Sequence, residues 1–220
     1  MKTENDVAIC GLRTIGGIVA LGLVTVALIT QGHCQTVVFG NSEVQFAPWQ
    51  YSGIPNLTAR GHKSLTCAEL RPWLPGDVPE GTVKVALVLG TNDVRTGVLP
   101  LQHMACVLGM VKWLQQNRPG IEIRLANVPP WGQNPPPPCS APAWVPHMVE
   151  QYNQLYALIP YLPLYRGVKV VDIWSAIVQQ DGWAILADMD GPCYIHFDQP
   201  QQWPSQGWAF FMGQIAAGLQ

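Results

Sequence analysis

The sequence predicts a three-layer α/β/α sandwich built on a parallel, flavodoxin-like sheet. Residues 83–89 form an almost continuous aliphatic run, as expected of a strand that is covered on both faces. Other aliphatic runs alternate along the chain with segments that carry apolar residues at helical spacing. This alternation is typical of βαβ units, in which successive strands lie parallel to one another.

The individual elements follow from local signals. Strands are predicted where short aliphatic runs end in turn residues, and helices where apolar residues recur every three or four positions. Thr66, with Glu69 three residues later, predicts a capping box at the start of a short helix. The predicted strands are 36–39, 83–89, 121–128 and 168–173, and the predicted helices are 67–71, 101–117, 148–158, 174–180 and 204–219. Residues 43–58 are expected to form a loop, and residues 60–64 a polar turn.

Composition narrows the functional class. The chain has 220 residues, enough for one domain with a substantial core, and a formal charge of −2. No basic excess is present to hold a phosphate backbone, so we expect no nucleic-acid partner. The 20 prolines and 21 glycines are not periodic, which indicates long ordered loops rather than a collagen-like repeat. The Pro-rich segment 129–146 is the longest of these loops.

The first 34 residues read as a targeting segment. Residues 14–30 are uncharged and apolar, a length that suits a signal-peptide core better than a spanning helix. We therefore expect a leader at 1–34, a domain at 35–220, and a secreted or periplasmic protein. The alternative is an uncleaved segment that holds the protein at a membrane through residues 14–30. A lipid anchor at Cys34 is less well supported, because Gly32-His33 is a poor lead-in.

The cysteines fit an oxidising compartment. Four of them follow the leader, an even number that is compatible with two disulfides. Cys139 and Cys193 both lie in Pro-containing loops, so we expect a 139–193 bridge together with a 67–106 bridge, although sequence alone leaves the pairing open. No CxxC or His/Cys spacing indicates a metal site.

Three polar residues are placed for nucleophilic chemistry. Ser42 and Asn92 each follow a predicted strand, and ligand sites of open α/β sheets lie beyond the carboxyl ends of the strands. His196 lies in a loop before the final helix. A hydroxyl nucleophile needs a base and donors for the oxyanion, which these three residues can supply. No GxSxG motif is present, so an ordinary α/β-hydrolase is disfavoured.

These words and their order resemble the SGNH (GDSL-like) hydrolases. Gly40-Asn41-Ser42 resembles the first block of that family, Gly-Asp-Ser, and Gly90-Thr91-Asn92-Asp93 matches the third, Gly-x-Asn-Asp. The region around His196 resembles the fifth block, Asp-x-x-His. The resemblance covers roughly residues 36–218 and implies the SGNH fold and ester hydrolysis. Asn41 stands where the family has Asp and is expected to keep a hydrogen-bonding role in the turn.

The resemblance also implies residue roles. Ser42 would be the nucleophile and His196 the base. Because Cys193 occupies the position three before His196, Asp190 is favoured as the acid, with Asp188 as the alternative. The oxyanion would be held by the Ser42 N–H, by Asn92 and by an N–H of the family's second block, in which Ser64 stands in place of the usual glycine and Gly61 is the alternative. Trp131 and Trp144 are candidates to line the substrate site. No cofactor is required.

The sequence therefore predicts an exported serine hydrolase that cleaves carboxylic esters through an acyl-enzyme. Its substrate would be a small-molecule or polysaccharide ester, either a short acyl ester or an acetylated carbohydrate. The alternative is a catalytically inert SGNH-like module that binds a glycan or another partner at the cell surface, since three blocks depart from the family pattern. A membrane-anchored acyltransferase with the same acyl-enzyme is a weaker third hypothesis.

Overall fold

One sheet of five parallel strands forms the centre of the molecule. The structure, a computed structural model, describes residues 35–130, 144–175 and 206–220. The strands are β1 (Gln35–Gly40), β2 (Leu57–Gly61), β3 (Thr82–Val88), β4 (Glu122–Ala126) and β5 (Lys169–Val171), in the spatial order β2-β1-β3-β4-β5. This is the flavodoxin-like order, with β3 in the middle as the aliphatic run predicted.

Helices cover both faces of the sheet. They are α1 (Ser42–Phe46), α2 (Cys67–Leu70), α3 (Leu74–Asp77), α4 (Thr91–Arg95), α5 (Pro100–Asn117), α6 (Val145–Leu158) and α7 (Gln206–Leu219). Short 3₁₀ turns lie at Trp49–Tyr51, Arg71–Trp73, Ile159–Tyr161 and Pro163–Tyr165. The predicted capping box is present, with Glu69 Oε2 accepting from the Thr66 amide at 2.8 Å. The helix predicted at 174–180 lies mostly outside the described residues.

The sequence analysis does not predict several of these elements, among them α1 and β2. Residues 43–58 are not a continuous loop, because α1 begins at Ser42 and a 3₁₀ turn follows it. Likewise Arg60 and Gly61 are not part of a turn: they end β2, which makes five strands rather than four. β2 lies at the edge of the sheet and is only partly buried, so it lacks the aliphatic run that identifies a central strand.

The two layers of core explain why β3 does not alternate between polar and apolar residues. Val85 and Leu87 pack in one cluster with α2, α5 and α6, whereas Ala86 and Val88 pack in a second cluster with α1 and α7. Successive side chains of a strand point to opposite faces. A strand segment that is buried on both faces must therefore be apolar at successive positions, as residues 85–88 are.

The charged residue near the start of β3 caps a helix. Lys84 Nζ donates to the carbonyl of Leu219 at 2.8 Å, and Arg124 Nε donates to the carbonyl of Gly218 at 2.6 Å. Both cations thus satisfy carbonyls that have no partner within the last turn of α7, where positive charge is favourable. A Cβ at Gly218 would overlap the side chain of Val171, so glycine allows α7 to close on β5.

Asn127 connects the ends of β4 and β5. Its Oδ1 accepts from the amides of Ile173 at 2.7 Å and Trp174 at 2.9 Å, and its Nδ2 donates to Asp172 Oδ1 at 2.7 Å. Only 6% of Asn127 is exposed, so these groups have little access to water. The amide therefore continues the sheet beyond the point where its backbone ladder stops.

None of the helices within residues 35–130, 144–175 and 206–220 is long and apolar enough to cross a membrane. The leader or anchor predicted at residues 1–34, including the apolar run 14–30, lies outside the described part of the chain. Its role stays a prediction from sequence.

Replacing Asn127 by alanine should lower the free energy of unfolding by about 2–4 kcal/mol, because the amides of Ile173 and Trp174 would lose their acceptor at a buried position. Urea denaturation followed by circular dichroism measures this. Asn117→Ala is the control, since the exposed Asn117 Nδ2 bonds only to the Trp113 carbonyl of its own helix, and a change within about 0.5 kcal/mol is expected. Equal losses in the two variants would contradict the role given to Asn127.

Candidate active site

Ser42 stands directly after β1, as the first residue of α1. Ser42 is 4% exposed. One further backbone bond follows β1, from the Asn41 amide to the carbonyl of Val88 at 3.3 Å. Gly40 is required at this crossing, because a Cβ there would overlap the same carbonyl oxygen. The β1–β3 pairing therefore fixes the position of Ser42 relative to the end of β3.

The turn before Ser42 is held by backbone rather than by the side chain of Asn41. The Asn41 carbonyl accepts from the amides of Val44 at 3.1 Å and Gln45 at 3.2 Å. Its side-chain oxygen and nitrogen are buried and make no hydrogen bond with any part of the chain that the structure describes. The expectation that Asn41 keeps a hydrogen-bonding role through its amide is therefore wrong here, and a buried unpaired amide costs stability.

Asn92 follows β3 and lies in the first turn of α4. The chain enters this helix through Gly90, whose φ of 112° is in the region that favours glycine. Asn92 is 5% exposed, and its Nδ2 donates to the carbonyl of Leu65 at 3.1 Å. An amide nitrogen carries two hydrogens, so this bond orients the group and leaves a second N–H for another acceptor. Such a donor is what an oxyanion requires.

The end of β2 and the loop after it supply the remaining oxyanion candidates, Gly61 and Ser64, together with Leu65. The His62 amide donates to the Gly40 carbonyl at 2.9 Å, and the Lys63 amide to Gln45 Oε1 at 2.7 Å, which tie the loop to β1 and α1. Ser64 has a φ of 64°, a left-handed conformation that glycine adopts more readily. Gly61 lies beneath α1, where a Cβ would overlap the Gln45 amide nitrogen.

A cluster of buried polar side chains, which begins at Asp93, supports the helix that carries Asn92. Asp93 Oδ2 accepts from the Cys67 amide at 2.8 Å, and Asp93 Oδ1 lies 3.1 Å from His103 Nδ1. His103 Nε2 lies 3.0 Å from the hydroxyl of Tyr156, and its ring stacks on Tyr152 with centroids 4.4 Å apart. Both Asp93 oxygens thus have close polar neighbours, which makes Asp93 a structural acceptor.

Tyr152 and Tyr156 stay neutral. Burial raises the pKa of Tyr156 well above its ordinary value, and the negative charge of Asp93 raises it further. The pKa of Tyr152 is raised by the same two causes, burial first. Both groups therefore keep their hydroxyl hydrogen over the whole working pH range, and the Tyr152 hydroxyl donates to the Val98 carbonyl at 2.6 Å.

The Cys67–Cys106 disulfide is present, so that half of the predicted pairing is confirmed. It joins α2, which follows the loop that carries Ser64 and Leu65, to α5. Because the Cys67 amide also donates to Asp93, the bridge lies next to the support of Asn92. Cys139 and Cys193, the other predicted pair, lie outside the described residues.

Several predicted site residues also fall outside the described residues: His196, Asp190, Asp188 and Trp131. Trp144 is described and stands at the start of α6, 42% exposed. It lies beside Gly97, at the turn that follows the helix carrying Asn92. Of the predicted set, the structure therefore places Ser42, Asn92, Gly61 and Ser64 at the carboxyl edge of neighbouring strands, with Trp144 near the same edge.

Sequence reasoning missed Glu43. This residue is completely buried in the first turn of α1, and its Oε2 lies 3.4 Å from Ser42 Oγ. Its position next to a candidate nucleophile could have identified it. However, residues 43–58 are predicted to form a loop, in which a glutamate is usually exposed. Within residues 35–130, 144–175 and 206–220, no group of three His, Cys, Asp or Glu side chains is arranged to hold a metal ion.

Comparison with solved structures identifies the fold. A Streptococcus pneumonia protein provisionally named platelet activating factor superposes with a TM-score of 0.72 at 17% identity, over 88% of this chain and 87% of its own. A protein from Desulfitobacterium hafniense, provisionally placed in the G-D-S-L family of lipolytic proteins, gives 0.63 at 18% identity, over 84% of this chain and 99% of its own. This chain has the SGNH hydrolase fold.

A further solved structure agrees with this fold, and two other comparisons found no match. A GDSL-like lipase from Bacteroides thetaiotaomicron gives a TM-score of 0.57 at 16% identity, over 84% of this chain and 86% of its own. No protein-family model matches the chain, and no curated protein matches it. The resemblance drawn from the Gly-Asn-Ser and Gly-Thr-Asn-Asp words is therefore confirmed through the SGNH fold, at sequence identities too low to carry a substrate.

Ser64→Gly should raise the free energy of unfolding by about 1 kcal/mol, because a side chain at positive φ is strained and glycine is not. Thermal and urea unfolding measure the change. Asn56, with a φ of 51°, is a matched control: asparagine tolerates this region, so Asn56→Gly should gain less. A larger gain in Asn56→Gly than in Ser64→Gly would contradict the strain assigned to Ser64.

Proposed function

We propose that this protein hydrolyses carboxylic esters through an acyl-enzyme formed on Ser42. The observation that carries the proposal is the placement of Ser42 and Asn92 at the same edge of adjacent parallel strands, in a chain with the SGNH fold. A buried serine hydroxyl beside an oriented amide donor suits acyl transfer, because attack and oxyanion stabilisation then occur at one carbonyl group.

In this mechanism a base takes the proton of Ser42 Oγ as the oxygen attacks the ester carbonyl. We assign the base to His196, oriented by Asp190 or Asp188, on the sequence resemblance alone. The negative charge of the tetrahedral intermediate is held by the second N–H of Asn92 and by backbone amides. The protonated base then gives its proton to the departing alcohol, and water repeats the cycle to release the acid.

Backbone amides of Ser42 and Ser64 are proposed as the other oxyanion donors. Ser64 is favoured over Gly61 for two reasons. It is adjacent to Leu65, whose carbonyl is bound by Asn92, and it adopts the left-handed conformation expected where the family has glycine. Gly61 instead pairs with Gly40 in the sheet and is covered by α1.

The proposed substrates are small-molecule or polysaccharide esters with short acyl groups, including acetylated sugars. Trp144 offers an exposed aromatic face near the site, and Trp131 is proposed to contribute a second one. Aromatic faces pack well on apolar and sugar surfaces. We also propose export of the domain after a leader at residues 1–34. The Cys67–Cys106 disulfide supports this localisation, because such bridges persist mainly in oxidising compartments.

Ser42→Ala should abolish hydrolysis of p-nitrophenyl acetate and butyrate, since loss of a triad nucleophile costs roughly 10⁶ in turnover. The assay uses the full chain, with release of p-nitrophenol as the measurement. Ser52→Ala is the control, because Ser52 only accepts a bond from the Ile54 amide, and it should retain the parent rate. Equal activity in Ser42→Ala and the parent protein would reject the assignment of Ser42.

The same assay separates the enzyme from the alternative, an inert module that binds a glycan or another partner. The buried, unpaired side chain of Asn41 is the observation that favours this alternative, since it departs from a well-formed first block. A folded protein that hydrolyses none of several acetyl and butyryl esters, yet binds an acetylated polysaccharide, would establish the binding module instead.

Asn92→Ala should lower kcat by about 10²–10³ with little change in KM, because an oxyanion donor acts mainly in the transition state. Steady-state kinetics on p-nitrophenyl butyrate measure the two constants separately. Unfolding must be measured alongside, since Asn92 also holds the Leu65 carbonyl. A rise in KM at constant kcat would show that Asn92 binds the ground state and does not stabilise the oxyanion.

A further inference from the structure

Glu43 places a carboxylate at the reacting atom. Its Oε2 lies 3.4 Å from Ser42 Oγ, longer than the about 2.5–3.0 Å of an ordinary O–H···O bond. The carboxylate is therefore next to the hydroxyl without a short bond to it. Glu43 is completely buried, and a charge in such a place is stabilised only by polar or charged neighbours.

This distance limits where the base can be. A base must come within about 2.6–3.2 Å of the proton-bearing oxygen that it serves. Any atom that accepts the proton of Ser42 Oγ therefore lies within about 6.6 Å of Glu43 Oε2, the sum of the two distances. An opposite charge within about 4–6 Å measurably favours the charged form of a titrating group. The bound holds whichever residue is the base.

Other charged groups near α1 are already engaged or face water. Among the described elements, β1 and β2 contact α1, and α7 shares a core cluster with it. β1 and α7 carry no charged residue, and β2 carries the exposed Arg60. His62 pairs with Asp77 at 2.6 Å, and Asp93 is held by Cys67 and His103. Lys63, in the described loop after β2, is exposed to solvent.

We infer that Glu43 is a positioning residue of the reaction: its carboxylate stabilises the positive charge that the base acquires when it takes the proton of Ser42. This rests on the proposed function and deepens it. As the Ser42 Oγ–acyl bond forms, the proton moves to the base, and the resulting cation lies near the Glu43 anion. When the proton passes to the leaving alcohol, the base is neutral again and Glu43 is unchanged.

The inference predicts a particular change in the pH profile. A neighbouring carboxylate raises the pKa of the base, and the base works only when it is deprotonated. Activity should therefore fall at low pH, and the Glu43 carboxylate should raise the midpoint of this fall, the pH at which half of the activity is lost. In Glu43→Gln the charge is lost and the shape is kept, so the midpoint should move down by about one pH unit or more. The plateau of kcat/KM should fall by about tenfold to a thousandfold.

The experiment measures kcat/KM for p-nitrophenyl acetate from pH 4 to 9 in the full chain. Glu43→Met is the second variant, because an apolar side chain of similar volume in place of a buried charge often leaves stability unchanged or higher. It keeps the test available if Glu43→Gln does not fold. Glu122→Gln is the matched control: Glu122 pairs with Arg124 at the opposite end of the strands, and its removal should leave the midpoint in place.

Three outcomes are distinguishable. A lower midpoint in Glu43→Gln or Glu43→Met, with Glu122→Gln unchanged, supports the inference. A midpoint that is unchanged or higher in the folded Glu43 variants overturns it, even where the rate has fallen, because loss of structure alone lowers the rate without moving the midpoint. If Ser42→Ala remains inactive in that case, the proposed function stands. If Ser42→Ala is as active as the parent protein, the proposed function fails first.

Discussion

The pairing of β1 with β3 is the constraint on which the candidate site depends. The two strands run parallel with Gly40 opposite Val88, and the bond from the Asn41 amide to the Val88 carbonyl extends the ladder to the residue before Ser42. Gly40 permits this contact because it has no side chain to overlap the carbonyl. A register shift of one residue would exchange the faces of β1 and move Ser42 away from Asn92.

Buried polar groups near Asn92 make this part of the site rigid. Asp93, His103 and Tyr156 are linked from α4 through α5 to α6, and the Cys67 amide joins α2 to the same cluster. The Cys67 amide and the Tyr156 hydroxyl thereby gain partners that would be costly to lose away from water. The helix that carries Asn92 is therefore held on several sides, which suits an oxyanion donor that must not reorganise during the reaction.

The nucleophile side of the site is less completely satisfied. The Asn41 side chain is buried without a hydrogen bond to the described part of the chain, and Ser64 is held at positive φ. Unsatisfied or strained groups that gather in one place are more typical of functional sites than of structural cores. This contrast between a rigid donor side and a strained nucleophile side is consistent with the proposed acyl transfer.

The sequence by itself determined the central strand, the capping box at Thr66 and the order of Ser42 and Asn92 in a parallel α/β fold. Those signals are local: aliphatic runs, helical spacing and short motifs depend on residues close together in the chain. Tertiary structure alone decided that the partly polar segment 57–61 is an edge strand, that the Asn41 side chain stays unpaired, and that Glu43 is buried against Ser42. These features depend on which distant elements pack there, and no local pattern encodes the burial of a single polar side chain.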